Sequence, residues 1–333
     1  MRKRTSPLII LMFICIIVVE KATAKDIIKF GTLATEGSAW GKTFSQMNVE
    51  LLKKSEGELQ FRFYWGRDEK DLVELIKSRQ LDAVSLTSVG LTQVLSAASI
   101  FQLPMLFSTY EELDYVKENL TPQFLQQFKE KGYVFLGWAD LGFIYLFSKH
   151  LIKSQTDLQK TRIWVRAIDP IAKAYVSAAE QDPVLLSIES VLPSLTENEI
   201  QTVYTSPLAC IVFQWHTQIN YMTDLRLAAG VGVTIIDKGR FDKLSNEHQS
   251  LLREITEKYH EQLKVVIRES NAESIRVLQD QEIHIVSVLP KEEEKWRQTA
   301  KEVQNQFVGQ LYERELLDRV RDLISQYHIK GNQ

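Results

Sequence analysis

Strand-like apolar runs at residues 27–33, 59–65 and 82–88 are separated by stretches 38–55 and 70–79, in which apolar residues recur at helical spacing. Strands alternating with helices point to an α/β unit with a largely parallel sheet. Pro104, inside IFQLPMLF (100–107), lacks the N–H that a central strand needs, so this run reads as a turn after a short helix. Two helices, 110–119 and 122–131, lead to a strand at 133–139, and the unit closes near His150. The stretch 142–166, GFIYLFSKHLIKSQTDLQKTRIWVR, holds two further strand-like runs. Alternation puts Ile144, Leu146 and Ser148 on one side of the first, and sets Ile163 and Val165 opposite Trp164 and Arg166 in the second. Their inward faces are expected to line a cleft.

A second α/β unit is predicted from a strand at 162–167, a helix at 170–179, an apolar run at 184–188, a helix near 192–198, a strand near 200–204 and a helix after Pro207. Pro170 suits a first helical position, where its missing N–H has no helical partner to lose. Strands near 225–229 and 231–236 lead back toward the first unit. Gly230-Val231-Gly232 between them reads as a turn, since it lacks the third glycine and the helix of a dinucleotide loop. From 240 to 308 there is no glycine and only Pro290. Ser245 is placed to cap a helix running to about Gln281, with Leu251, Ile255, Tyr259, Leu263, Val266 and Ile267 as its apolar stripe. At ~1.5 Å per residue that helix would be roughly 50 Å long, enough to lie across both units. Further helices follow Pro290 and occupy 304–326. The expected architecture is α/β, in two hinged and discontinuous domains. Residues 25–150 form the first domain, to which parts of 231–290 return, and 151–230 form the second. A long helix at 245–281 spans both, and C-terminal helices fill 291–333.

The N-terminus changes the picture of where this fold works. Arg2, Lys3 and Arg4 precede an apolar run, 8–19, and the small-x-small pattern Ala22-Thr23-Ala24, which together predict a signal peptide at 1–24 and export to the periplasm. Removing those residues leaves 36 basic and 42 acidic side chains of the original 40 and 43. A mildly acidic chain with no basic cluster argues against nucleic acid as a partner. Only Cys210 remains, so no intramolecular disulfide is available, and a small buried hydrophobe is its ordinary role.

Several segments, in order, resemble the DctP-like family, the periplasmic binding subunits of tripartite ATP-independent periplasmic (TRAP) transporters. GELQFRFYWG is similar to that family's early strand, LIKSRQLDAVSLTS to its helix-to-strand step, and IFQLPMLF to its proline turn. DLQKTRIWV is similar to its DLKGLKIRV strand, and FDKLSNEHQSLL, QDQEIHIV and EEEKWRQTA to its C-terminal third. The resemblance implies a two-domain flytrap with a long bridging helix, no enzymatic activity, no cofactor, and delivery of a captured solute to small and large membrane subunits.

The departures bear on the ligand. In the resembled family an arginine of the KIRV strand grips a substrate carboxylate through two parallel hydrogen bonds; here Trp164 stands in its place. A second basic position, used by some members, falls on Ile144. A polar amide is replaced by Thr205 or Tyr204, and an asparagine by Asp237 or Lys238, depending on where gaps fall. The implied substrate-binding wall is Leu33, Thr87, Ile144, Trp164, Ile188 and Thr205. Trp138, Tyr145, Tyr204 and Phe213 lie within reach of it. A carboxylate buried without a cation costs several kcal/mol, roughly, so a neutral, hydrophobic or amphipathic ligand is expected. Arg166, two residues along the same strand face as Trp164, offers the alternative of an anion anchor for an organic acid. A lipid or hydrophobic-ligand chaperone acting with an additional periplasmic protein is a further alternative, and a sensor domain a third. The six histidines are scattered, with no pair at metal-ligand spacing, and no nucleophile motif accompanies Cys210 and His216.

Overall fold

The computed structural model describes residues 26–331; the expected signal peptide lies outside them. Nine strands are named in chain order: β1 (Asp26–Thr32), β2 (Leu59–Tyr64), β3 (Ala83–Thr87), β4 (Tyr133–Ser148), β5 (Trp164–Arg166), β6 (Val184–Leu186), β7 (Thr202–Thr205), β8 (Tyr221–Asp237) and β9 (His284–Ser287). The helices are α1 (Ala39–Lys54), α2 (Glu69–Lys77), α3 (Ser88–Val94), α4 (Tyr110–Glu130), α5 (Gln155–Leu158), α6 (Pro170–Ala178), α7 (Val191–Thr196), α8 (Pro207–Val212), α9 (Lys238–Phe241), α10 (Asn246–Asp280), α11 (Pro290–Gln306) and α12 (Arg314–Gly331).

One mixed sheet runs β2-β1-β3-β8-β4-β7, with β9 pairing β8, and β5 and β6 form a separate parallel pair. The expectation of a largely parallel sheet holds for β1, β2 and β3. It gives way where β8 enters antiparallel between β3 and β4. The two runs read at 133–139 and 142–148 are one 16-residue strand, and those read at 225–229 and 231–236 are one strand of 17 residues. Bulges in β4 between Phe135 and Gly137, Asp140 and Gly142, and Ile144 and Leu146 bend it without ending it. The Gly230-Val231-Gly232 segment is thus strand, not turn. Glycine is needed there because neighbouring backbone is too close: a Cβ at Gly230 would lie 2.8 Å from the Gly142 carbonyl oxygen, and one at Gly232 2.5 Å from that of Leu86.

The bridging helix α10 has 35 residues and begins where expected, the Ser245 side chain accepting from the His248 N–H. Leu252, Ile255, Tyr259, Leu263 and Ile267 form its buried stripe. Val266 is exposed and Leu251 only partly buried, because 3.6 residues per turn carries the seam through 252 and 263 rather than 251 and 266. Asn271 ties this helix to two neighbours: its Nδ2 donates to Leu141 O at 3.1 Å, and its Oδ1 accepts from the Leu208 N–H at the start of α8. Arg268 reaches Asp140 on β4 and Asp114 on α4, while Lys117 meets the other Asp140 oxygen at 2.8 Å. Asp140 and Lys117 are buried, Arg268 and Asp114 half-buried, and all four are mutually paired, which fixes where α4, β4 and α10 cross.

Two further expectations fail locally. Helix α4 continues through Pro122 as one 21-residue element; Thr121 Oγ1 donates to Lys117 O at 2.6 Å in the turn where the proline brings no N–H. At the C-terminus, helix α11 ends at Gln306 and α12 starts only at Arg314, separated by a turn through Gly309, whose φ of 75° a glycine adopts without strain.

His260 lies under β4, with Nε2 2.7 Å from Thr234 Oγ1 and Nδ1 2.6 Å from Thr256 O. Burial, the largest cause, pulls its pKa down from 6.5 to about 4. The unfolded chain therefore binds a proton that the folded chain refuses. Stability from this group is full above pH about 6.5 and is lost as pH falls toward about 4, by roughly 3 kcal/mol over that window. Urea unfolding across this range should show the loss, and His260→Gln should flatten the slope; an unchanged slope in the variant would assign the acid sensitivity elsewhere.

Candidate functional site

A cavity of about 170 Å³ lies between the ends of β1 and β3 on one side and β5, α6 and β7 on the other. A second space of about 110 Å³ adjoins it, sharing Leu33, Thr87, Leu141, Ala209 and Phe213 and extending past Trp40. The larger cavity is bounded mainly by aliphatic and aromatic side chains, among them Tyr175 on α6 and Trp296 on α11. The structure places Leu33, Thr87, Ile144, Trp164 and Ile188 on its wall, together with Tyr204, Thr205, Phe213 and Arg166.

Trp138 and Tyr145 are elsewhere. Trp138 packs among Phe101, Phe124 and Phe135, and its indole N–H donates to Thr121 Oγ1 at 2.8 Å. Tyr145 is buried in the core, while its neighbours Ile144 and Leu146 face the cavity, as alternation along a strand requires. Sequence reasoning missed Tyr175, Trp215 and Trp296, which come from helical segments whose aromatic residues read as packing, and Asp169, which reads as a helix cap.

Trp164 is held in a defined position. Its ring stacks on Tyr204 with centroids 5.4 Å apart, meets Trp215 edge-on at 5.1 Å, and its Nε1–H donates to Leu186 O at 3.0 Å. Such aromatic pairs contribute roughly 0.5–1.5 kcal/mol beyond their buried area. The side chain is thus at once a cavity wall and part of the core formed by β5, β6 and β7.

The cation beside the cavity is committed to a protein carboxylate. Arg166 is 8% exposed, and its Nη1 lies 2.5 Å from Glu69 Oε2, on α2. Its Nη2 is 3.7 Å from Asp68 Oδ2. Glu69 is fully buried and also accepts from the Thr87 N–H and, at 2.8 Å, from the Thr87 hydroxyl. Asp169, at the N-terminus of α6, accepts from the Ala172 N–H at 3.0 Å and the Tyr204 O–H at 2.8 Å. Burial pushes the Asp169 carboxyl up despite these bonds, and it pushes the Tyr204 phenol up as well, with the adjoining Asp169 adding to that shift. The polar corner therefore carries at least as much negative as positive charge. Cys210 is buried, and burial raises its thiol pKa, which removes it as a nucleophile.

The DctP family of bacterial extracellular solute-binding proteins, family 7, matches residues 30–310. The chain belongs to that family. Its fold matches that of two-domain TRAP periplasmic solute-binding proteins. The sugar acid binding protein of Advenella mimigardefordensis, in complex with galactonate, superposes with a TM-score of 0.85 at 16% identity, covering 91% of this chain and 99% of its own. A TRAP solute-binding protein from Shewanella oneidensis with bound succinate gives 0.84 at 15% identity, covering 90% and 100%. One from Ochrobactrum anthropi, whose C-terminus occupies the ligand pocket, gives 0.81 at 18% identity, covering 93% and 98%. None of the curated protein sequences compared with the chain matches it.

The Glu69 contact yields a direct test. Glu69→Gln leaves a buried guanidinium with only the more distant Asp68, 3.7 Å away, as counter-ion and should destabilise by about 3–5 kcal/mol, whereas Glu69→Leu combined with Arg166→Met should recover much of that loss. Denaturant midpoints for the single and double variants measure it; a double variant as unstable as the single one would refute the pairing.

Proposed function

We propose that the chain is the exported, periplasmic solute-binding subunit of a TRAP transporter, and that the molecule it delivers to the small and large membrane subunits is neutral, hydrophobic or amphipathic. The observation that carries this reading is the replacement of a free cation by a stacked indole. By motif register Trp164 occupies the position of the family's substrate-gripping arginine, and the nearby guanidinium of Arg166 is already engaged by Glu69. The related proteins are bound to succinate, galactonate and other acids. An incoming carboxylate in this cavity would meet Asp169 on the wall, while the lining cation, Arg166, is already engaged by Glu69 and has Asp68 close behind it. Coulomb repulsion and desolvation then act in the same direction. Apolar walls fixed by a few polar contacts suit a ligand that is mostly hydrocarbon or aromatic.

Capture would proceed by hinge closure between a lobe formed by 25–150, with parts of 231–290, and a lobe formed by 151–230. The long strands β4 and β8 connect the two lobes, and α10 crosses both. Support comes from the position of the Arg166–Glu69 pair, which joins β5 to α2 and stabilises a closed arrangement whether or not a ligand contributes contacts. A reading in which Arg166 anchors an organic acid is disfavoured by that same pair. A hydrophobic-ligand chaperone passing cargo to another periplasmic protein would use the same cavity, but no described surface feature specifically favours it.

The experiment is a thermal-shift comparison at neutral pH. Binding at 100 times Kd adds ~2.7 kcal/mol to folding stability. Succinate, galactonate and glucuronate should produce no upward shift, and a neutral apolar probe such as naphthalene should produce one. Stabilisation by the acids without stabilisation by naphthalene would overturn the reading.

A further inference from the structure

The space beside Trp164 and the smaller one beside Trp40 share walls from both proposed lobes. Leu33, Thr87 and Leu141 come from the first lobe, Ser206, Ala209 and Phe213 from the second, and all six border both spaces. All of them except Ser206 are only partly buried, so they keep accessible surface. The boundary between the two spaces is therefore made of surfaces that part when the lobes open and meet when they close. A molecule captured in the open arrangement can lie across it.

The two spaces differ in size and in chemistry. An engineered apolar cavity of ~150 Å³ binds benzene, so the first space, at about 170 Å³, takes a group on the order of a single ring. The second adds about 110 Å³. Arg166 and Asp169 are the charged residues on the wall of the first; the second has no charged residue on its wall. Aromatic rings lead from one to the other. Tyr204 stacks on Trp164, Trp164 meets Trp215 edge-on at 5.1 Å, and Trp215 stacks on Phe213 at 5.2 Å, where the second space begins.

The walls that belong to the second space alone stand on anchored elements. Trp40 follows the N-terminal cap of α1, where the Gly41 N–H donates to Ser38 Oγ at 3.1 Å, and its ring meets Phe44 edge-on at 5.5 Å. Leu208, near the start of α8, donates its N–H to Asn271 Oδ1 on α10 at 3.1 Å. Side chains held in this way can set a sharp limit on what fits between them.

From this arrangement we infer that the ligand is elongated: a compact body lies beside Trp164, and an uncharged hydrocarbon tail passes Leu141 and Phe213 into the space beside Trp40, where Trp40 and Leu208 limit its length. This inference rests on the apolar-ligand reading above and narrows its chemical class to molecules with a tail. Each methylene buried in the second space should tighten binding about fourfold.

The test is a homologous series on the mature protein at pH 7: benzene, ethylbenzene, butylbenzene, hexylbenzene and octylbenzene, with Kd measured by displacement of naphthalene. Affinity should rise about fourfold per methylene through the shorter chains and level off once the second space is full. Leu208→Trp, which fills that space, should cut the ratio of butylbenzene to benzene affinity by about tenfold or more. Should that variant fail to fold, Val212→Trp serves instead, since Val212 also borders the second space and is 39% exposed; it should lower the same ratio. Trp40→Ala should move the levelling-off to longer chains. A wild-type affinity that stops rising at ethylbenzene, a ratio that the tryptophan substitutions leave in place, or a levelling-off unmoved by Trp40→Ala would overturn the inference while leaving the apolar cavity standing. Binding of succinate with no binding of any member of the series, benzene included, would instead sink the proposed function, and this inference with it.

Discussion

The contact between Arg166 and Glu69 is the constraint on which the proposed ligand class rests. A buried guanidinium is a strong anion site only while its charge is free. Here a fully buried carboxylate, itself fixed by the Thr87 backbone and hydroxyl, lies against it. The attraction that would have drawn a substrate acid is used within the protein, and Asp68 adds a second negative charge nearby. With that cation committed and Trp164 packed between Tyr204, on which it stacks, and the edge-on Trp215, the remaining wall interacts through dispersion and water exclusion. On the proposed reading, the polar corner would discriminate against simple acids rather than for them.

The rest of the fold exists to hold these elements in register. Strands β4 and β8 run as long antiparallel partners whose bulges and glycines let them bend while remaining paired. Helix α10 crosses them and is tied by Asn271 to the β4 bend and the start of α8, and by Arg268 to β4 and α4. The cavity walls thus hang from elements whose relative positions are set by buried hydrogen bonds and charge pairs. The β5–β6 pair, which carries Trp164 and Arg166, is a separate small sheet joined to β7 of the main sheet by the Ile163–Thr202 bridge.

Much of this was legible in the sequence because local physics dictates it. The Ser245 cap and a glycine-free run fix α10, and motif register singles out Trp164. Long-range facts were not legible. Runs at 133–139 and 142–148 look like two strands because glycine usually interrupts one, yet the bend at Gly142 is sustained by pairing with β8. Pro122 looks like a helix boundary, yet α4 packs well enough to carry it. Trp138 and Tyr145 have the right composition for a ligand wall, but strand facing sends them into the core. Glu69 could not have been matched to Arg166 from spacing, since 97 positions separate them.

The central claim is that the cavity excludes simple acids and holds a neutral, mostly apolar molecule. It is tested most directly by identifying what the protein carries: mature protein purified from its periplasm without unfolding, analysed by native mass spectrometry and then by solvent extraction. The account predicts a neutral species that partitions into the organic phase, at up to one molecule per chain. A dicarboxylate or sugar acid recovered from the aqueous phase at that stoichiometry would contradict it.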